Sequence, residues 1–454
     1  MKRITSILIV FTLIFVMLLA ACGENASESA NADKQEGNAA AAQKPAEKPS
    51  DKKVTISYWY TANEADEASY FVKWCNGSIS KFMEANPNIT IEKTVLSNSD
   101  QYQTKINASI ASGEVPDIFQ GWLAGRMEPF VKSGSIMALD DIINGDPELK
   151  NVFVPIKTGI FGGKTYGIGL MLTTEVYFYN KEIFKNNNIE VPKTYTELKD
   201  IIVKLKANNI LPMAMGNKDP WVGTLPFMFI FDRIAGPAKY EETCFAHTGK
   251  FTEPEYAKAA EVMLEIANLG AYPDNFNTLD YNEAKAMFTS GKAAMYPMGT
   301  WELQNLGVEL GDKLGFFNFP DIEGGKGSAV EDWIASQDNA FCVSAKAPKD
   351  EQDAAIRFLK YNFSKERLSD YANSGALLAP RNFPLDESKL HPATVELYRQ
   401  LANVKHGSIP WDNPLGTVVG KELNLATQSI YAGKNINEVF TNLQKIADQE
   451  WAAK

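Results

Sequence analysis

Cysteine is scarce here: the 454-residue chain has four, one of them at position 22. The other three, Cys75, Cys244 and Cys342, are odd in number, and no CxxC or zinc-like spacing joins them. That excludes a structural zinc site and a disulfide framework, and leaves buried free thiols with room for one bridge. Histidine is scarcer still. His247, His391 and His406 are scattered without metal-ligand spacing and read as structural residues. GxSxG and HExxH are absent, so neither a nucleophile elbow nor a zincin helix is present. The stretch 158–165, TGIFGGKT, nearly imitates a phosphate-binding loop, but Thr158 stands where the first glycine belongs. A strand-like segment follows it instead of the required helix, so nucleotide binding is rejected. Basic charge is in deficit as well. The net charge of −11 argues against nucleic acid or an anionic lipid face as partner.

The beginning of the chain is informative. Lys2 and Arg3 precede an apolar run from Ile4 to Ala21, which ends in Leu19-Ala20-Ala21-Cys22. The run has the layout of an export signal. Its ending resembles the bacterial lipobox, in which the cysteine, here Cys22, is lipidated and becomes the new N-terminus. The competing reading is a plain transmembrane anchor, since about 18 apolar residues can span a bilayer. Residues 23–53 then carry Ala, Glu, Lys, Asn, Ser and Pro with no aromatic or branched aliphatic side chain. Such a segment cannot bury enough apolar surface to offset its ordering entropy, so a flexible tether is expected.

The remaining body, about 400 residues, exceeds one compact core, and two domains are expected. Residues 54–60 form a run of strand formers, followed by a helical stretch that stops at Asn86-Pro87-Asn88. Residues 89–95 alternate as a second strand. Ser99 is placed as the cap of a helix with Tyr102, Ile106 and Ile110 on one face, and a third strand begins after Pro116. This succession predicts a parallel α/β sheet. A second α/β series starts at Tyr177. Thr194 and Glu197 form a capping box for a helix with Leu198, Ile201, Ile202 and Leu205 inward, and strands are expected at 210–215 and 293–298. The C-terminus reads as mostly helical.

Ligands of open parallel sheets sit beyond the carboxyl ends of the strands. The segments so selected are 61–64, the turn at Trp122, 216–221 and 299–302. Trp122, Trp221 and Trp301 fall in three of them, and Trp59 and Tyr60 close the strand before the fourth. Indole faces suit the C–H faces of sugar rings. The ring hydroxyls need polar partners, because each buried one left unpaired costs about 1–3 kcal/mol.

Several stretches in order resemble the extracellular solute-binding family 1, which includes the maltose- and oligosaccharide-binding receptors of carbohydrate ABC importers. They are YWY at 58–60, ASGEVPDI at 111–118, GKTYGI at 163–168, VYFYNK at 176–181, VPKTYTEL at 191–198, FTSGKAAM at 288–295 and MGTW at 298–301. The resemblance implies a two-lobed α/β fold of the periplasmic-binding-protein kind, type II or cluster D, with hinge segments and a helical C-terminus. The expected parts are a lipoprotein signal (1–21), a lipidated linker (22–53), an N-lobe (54–173 plus 338–386) and a C-lobe (174–337 plus 387–454). Lobe crossings are expected near 172–176, 336–339 and 384–392. The resemblance further implies a monomeric, lipid-anchored, non-enzymatic receptor without cofactor, on the outer face of a Gram-positive membrane. It would close around a carbohydrate and hand it to a permease.

By position in the family pattern, the expected ligand contacts are Asn63 and Glu64, then Asp117 and Trp122, then Glu175 at the first hinge. Trp221 and Trp301 follow as stacking platforms, Asp332 and Trp333 before the second hinge, and Arg381. Trp411, beside Asp412 and Asn413, is a weaker candidate. Each tryptophan competes with a packed core role, and each acidic residue with a solvated or capping one; Arg381 competes as an interlobe ion pair. Two other functions stay open. A cell-surface glycoside hydrolase needs a pair of carboxylates about 5–9.5 Å apart, and acidic loops such as Glu331-Asp332 could hold a polyamine.

Overall fold

The computed structural model describes residues 52–65, 69–153, 157–337, 339–374 and 386–452. The expected leader, Cys22, the expected tether before residue 52 and Arg381 lie outside them. Among the described residues no helix is long and apolar enough to cross a membrane.

Among the described residues twelve strands occur in chain order: β1 (Val54–Thr61), β2 (Ile89–Leu96), β3 (Ile118–Trp122), β4 (Ile160–Phe161), β5 (Lys164–Thr165), β6 (Thr173–Asn180), β7 (Leu211–Met213), β8 (Ala293–Gly299), β9 (Leu314–Phe317), β10 (Asp332–Ser336), β11 (Asn339–Val343) and β12 (His406–Ser408). Four form the sheet of the first lobe, in the order β11-β3-β1-β2. As the spacing predicts, β1 is parallel to both β2 and β3, and helices Tyr70–Ala85 and Ser99–Ser112 make the crossovers. Both faces are covered, so successive residues serve different cores. Ile118, Phe341 and Val343 pack with Tyr58 and Phe358 on one face. Phe119, Ala340 and Cys342 pack with Tyr102 and Ile106 on the other.

The crossover helices end where local chemistry stops them. Tyr70–Ala85 ends at Asn86, because Pro87 supplies no amide hydrogen to continue it. The helix Ser99–Ser112 buries Tyr102, Ile106 and Ile110 as expected, but its cap is Asn98, one residue earlier than the sequence places it. The Asn98 Oδ1 accepts from the Gln101 amide at 2.8 Å. Asparagine and serine cap about equally well, so residue type alone does not separate the two positions.

The second lobe has the order β12-β10-β6-β8-β7, with β9 also on β6. The second α/β series is therefore not a parallel run. β6 is antiparallel to β8, β9 and β10, and only β7–β8 and β10–β12 are parallel. The cause is topological, since β6 enters this lobe from the first one and runs away from it. The capping box at Thr194 and Glu197 forms, with Leu198, Ile201, Ile202 and Leu205 buried. The helix Trp221–Ala235 buries nearly its whole circumference beneath the sheet. Helices Gly416–Tyr431 and Ile436–Ala452 close the core through Val419, Leu423, Phe440 and Leu443.

The chain leaves the first sheet after Ile168, which bridges to Phe341, and enters the second at Thr173. β10 ends in the second sheet at Ser336, and β11 starts in the first at Asn339. These two connections run against each other: a Cβ on Gly169 would lie 2.0 Å from the Gln337 Oε1. A third contact joins the lobes where the short turn Ala124–Arg126 meets residues 413–416. There a Cβ on Gly125 would lie 2.3 Å from the Pro414 carbonyl. Only glycine permits that approach.

Cys75, Cys244 and Cys342 are buried free thiols. Burial pushes the Cys75 and Cys342 thiols up to about 12, so neither forms a thiolate near neutrality. His391 caps the helix Pro392–Leu401 through its Nδ1, a structural role as expected.

Candidate functional site

A cleft of about 400 Å³ lies where the ends of the two sheets face each other. The first lobe supplies Asn63 after β1, Asn98 to Asp100 after β2, Trp122 closing β3, and Arg126. The second lobe supplies Trp221 at the start of its helix, Thr300 to Glu302 after β8, Tyr281, and Asp412 with Asn413 after β12. Glu175 reaches the same place from the beginning of its strand, because antiparallel pairing sets it opposite Gly299. It is fully buried at the floor.

Five of the expected contacts therefore line one cavity: Asn63, Trp122, Glu175, Trp221 and Trp301. Four do not. Glu64 sits on the surface, paired with Lys93. Asp117 precedes β3, at the end away from the cleft, and its Oδ2 accepts from the Ser57 amide and hydroxyl at 2.7 Å each. Asp332 opens β10 and ties down the loop before it, accepting from the Ser328 amide at 2.7 Å and contacting the His406 Nδ1 at 2.7 Å. Trp333 is 4% exposed and packs in the second-lobe core. Trp411 is 1% exposed in a cage with Phe231, Tyr240 and Tyr256, while its neighbours Asp412 and Asn413 line the cleft.

Sequence reasoning missed Asp100, Arg126, Tyr281 and the aromatic wall of Tyr70, Phe71 and Tyr371. Asp100 was within reach, since it follows β2 and the same strand-end rule selects it. Tyr281 sits just inside a capping box, Asp280 with Glu283, whose sequence marks a helix start and says nothing of a site. Tyr371 comes from a helix remote in sequence, so only tertiary packing brings it in.

The aromatic groups are held in place. The Trp301 Nε1 donates to the Tyr281 hydroxyl at 2.9 Å, and that hydroxyl donates to the Glu302 carboxylate. Lys285 lies 3.0 Å from the other Glu302 oxygen. Trp221 meets the Trp301 ring edge-on at 5.7 Å. Across the cleft, the Arg126 guanidinium lies 5.5 Å from the Trp122 ring centre, and its Nη2 is 2.8 Å from the Asp412 carboxylate. The Arg126 amide also donates to the Asn413 carbonyl at 3.1 Å, and the Asn98 side chain donates to Asp219 at 2.8 Å. These last contacts join the two lobes.

Buried polar atoms on the lining, among them the Arg126 Nε, the Trp221 Nε1 and the Asn413 Oδ1, have no hydrogen-bond partner among the described residues. A buried polar group left so costs about 1–3 kcal/mol, which a ligand hydroxyl could recover. Asp100 is exposed to the water of the cleft, yet the surrounding protein raises its pKa above the ordinary carboxylate value. Limited solvation is the main cause, Arg126 and Lys421 oppose it, and Asp219 and Asp412 reinforce it. No group of three or more metal-ligating side chains occurs among the described residues.

Known proteins place this architecture. Residues 77–388 match the family model of the bacterial extracellular solute-binding protein. The chain is 24% identical over 392 residues to the multiple sugar-binding protein of Streptococcus mutans, covering 83% of each. It is 27% identical over 253 residues to an uncharacterized ABC transporter extracellular-binding protein of Pyrococcus horikoshii. That alignment spans only 55% of either protein's length. A structure from work on xylan utilization by the thermophilic bacterium Caldanaerobius polysaccharolyticus superposes with a TM-score of 0.79 at 30% identity, covering 86% of this chain and 99% of the other. A chitin oligosaccharide binding protein does so with a TM-score of 0.79 at 26% identity, covering 86% and 98%. Two lobes, a cleft at the facing sheet ends and this breadth of likeness agree: the chain belongs to the family of bacterial extracellular solute-binding proteins.

Proposed function

We propose that this chain is the receptor of a carbohydrate ABC importer, a two-lobed clamp that takes a saccharide into its cleft without transforming it. The carrying observation is the cleft lining: Trp122 from one lobe and Trp221 and Trp301 from the other, around polar groups on the same cavity. Indoles on both sides can hold a ring by its C–H faces, while Asn63, Glu175, Asn413 and their neighbours meet its hydroxyls. The sugar-binding names of several relatives support the same solute class. On this reading the lobes are 54–173 plus 338–386 and 174–337 plus 387–454; the separate strand sets of the two sheets support a division there, with Thr173 already the first residue of β6. Closure follows from ligand contacts made by both lobes, because a solute shifts the open–closed balance only by its preference for the closed form. The closed surface would then dock on the permease.

The test is calorimetry and thermal melting of the full chain against xylo-, chito-, malto- and cello-oligosaccharides and a polyamine. A saccharide at 100 times its dissociation constant should stabilise the protein by about 2.7 kcal/mol. Stabilisation by the amine alone, or release of shorter products from the saccharide, would sink the proposal. Lipid anchoring through Cys22 has its own readout: radiolabelled palmitate should enter the wild type and not Cys22→Ala. Equal labelling of the two would remove the anchor.

A further inference from the structure

The charges on the cleft lining are unequal. Carboxylates come from Asp100, Glu175, Asp219, Asp280, Glu302 and Asp412. The cations are Arg126 and Lys285, and each already lies against one of those carboxylates, Asp412 at 2.8 Å and Glu302 at 3.0 Å. The lining thus holds four more acidic than basic side chains. Asp100 and Asp219 come from opposite lobes, and their mutual repulsion is part of what raises the Asp100 pKa. Closing the lobes brings these like charges toward each other and toward the solute, in a space where water is limited and screening is weak. The lining also awaits neutral partners, since the Asn413 Oδ1, on a residue 2% exposed, is an acceptor without a donor among the described residues.

We propose that the cleft is an electrostatic sieve. Asp100 on one lobe and Asp219 on the other bar saccharides that carry a carboxylate or phosphate, so the solute is a neutral or amine-bearing saccharide. The inference rests on the saccharide reading above and narrows it. Relatives of this chain include a protein named for an anionic solute, sn-glycerol-3-phosphate, so likeness alone does not decide the charge of the cargo. An anionic solute needs cations left over after the protein's own pairs are made; both lining cations are already ion-paired, and the Arg126 Nε is a single buried donor without a partner among the described residues. An ammonium group would instead lie among carboxylates and ease the repulsion that closure brings.

The experiment titrates the full chain with four trisaccharides: xylotriose, xylotriose bearing one glucuronic acid, triacetylchitotriose, and chitotriose with free amines. The uronate is expected to bind at least tenfold more weakly than xylotriose at low salt, and chitotriose at least as tightly as its acetylated form. Raising the salt from 20 to 500 mM should shrink the uronate penalty at least threefold, and so should the double substitution Asp100→Asn with Asp219→Asn. A uronate that binds as tightly as xylotriose overturns the sieve and leaves the saccharide reading standing. A penalty that neither salt nor the double variant moves is steric, and also overturns it. If no trisaccharide binds, the saccharide reading fails and the sieve fails with it.

Discussion

Trp301→Ala is expected to weaken capture of the preferred neutral saccharide by about 30-fold or more, near 2 kcal/mol. Trp301 is 37% exposed, an unusual position for a large apolar ring that also lines a cavity. Such a ring does little for the fold and much for a ligand that covers it. Its orientation is fixed on three sides, by the Tyr281 hydroxyl, by the Trp221 ring, and by the absence of a side chain at Gly299. The last point gives a companion variant. A Cβ on Gly299 would lie 2.0 Å from the Trp301 Cζ3, so Gly299→Ala should tip the indole away and lose a similar factor with Trp301 still present. Calorimetric titration measures both, with far-UV circular dichroism to show that the fold is kept. Affinities within threefold of wild type in both variants would remove Trp301 as a platform.

Arg367→Ala is expected to lower the unfolding free energy by about 3 kcal/mol, as removal of a buried multiply bonded charge does. Arg367 is 3% exposed and bolts the helix Lys365–Ala372 to Tyr70–Ala85. Its Nη2 donates to the Ser78 hydroxyl at 2.8 Å and to the Trp74 carbonyl at 2.9 Å, and its Nη1 to Asp370 at 2.6 Å. The guanidinium also lies 5.2 Å from the Trp74 ring centre. The Asp370 bond counts for little, because that carboxylate is partly in water. The larger loss is the Ser78 hydroxyl and Trp74 carbonyl, buried and deprived of a donor, with the packing of the long side chain. Lysine should recover less than half of the loss, since one ammonium cannot reproduce the planar fork. Urea unfolding of the full chain reads the effect, and a change below about 1 kcal/mol would refute the bolt. The consequence reaches the cleft, because Tyr371 on this helix and Tyr70 on its partner form the first-lobe aromatic wall.

The second lobe puts its tryptophans to two uses. Trp411 and Trp333 are as large as Trp301 and lie in segments of similar composition, yet they hold the second-lobe core together. The difference is where each strand ends relative to its neighbours. Trp301 follows β8 at the end that faces the other lobe, whereas Trp333 lies within β10 and is covered by core. Sequence spacing sees an indole near a glycine in both cases.

Residue order carries the local physics. Period-two and period-3.6 patterns placed the parallel crossovers β1 to β3 and the helix after Thr194, because burial of an apolar stripe is decided within a few residues. The strand-end rule brought Asn63, Trp122, Trp221 and Trp301 to one cavity, and the family pattern brought Glu175. Tertiary structure alone decided the rest. The direction of β6, and hence why Glu175 lies at the floor, depends on the point at which the chain crosses between lobes. Glu64, Asp117 and Asp332 went to Lys93, Ser57 and His406 because a carboxylate takes the nearest donor in space, which sequence distance does not reveal. Arg126 against Asp412, 286 positions apart, belongs to the same class, and so does the surplus of acid that the closed cleft concentrates.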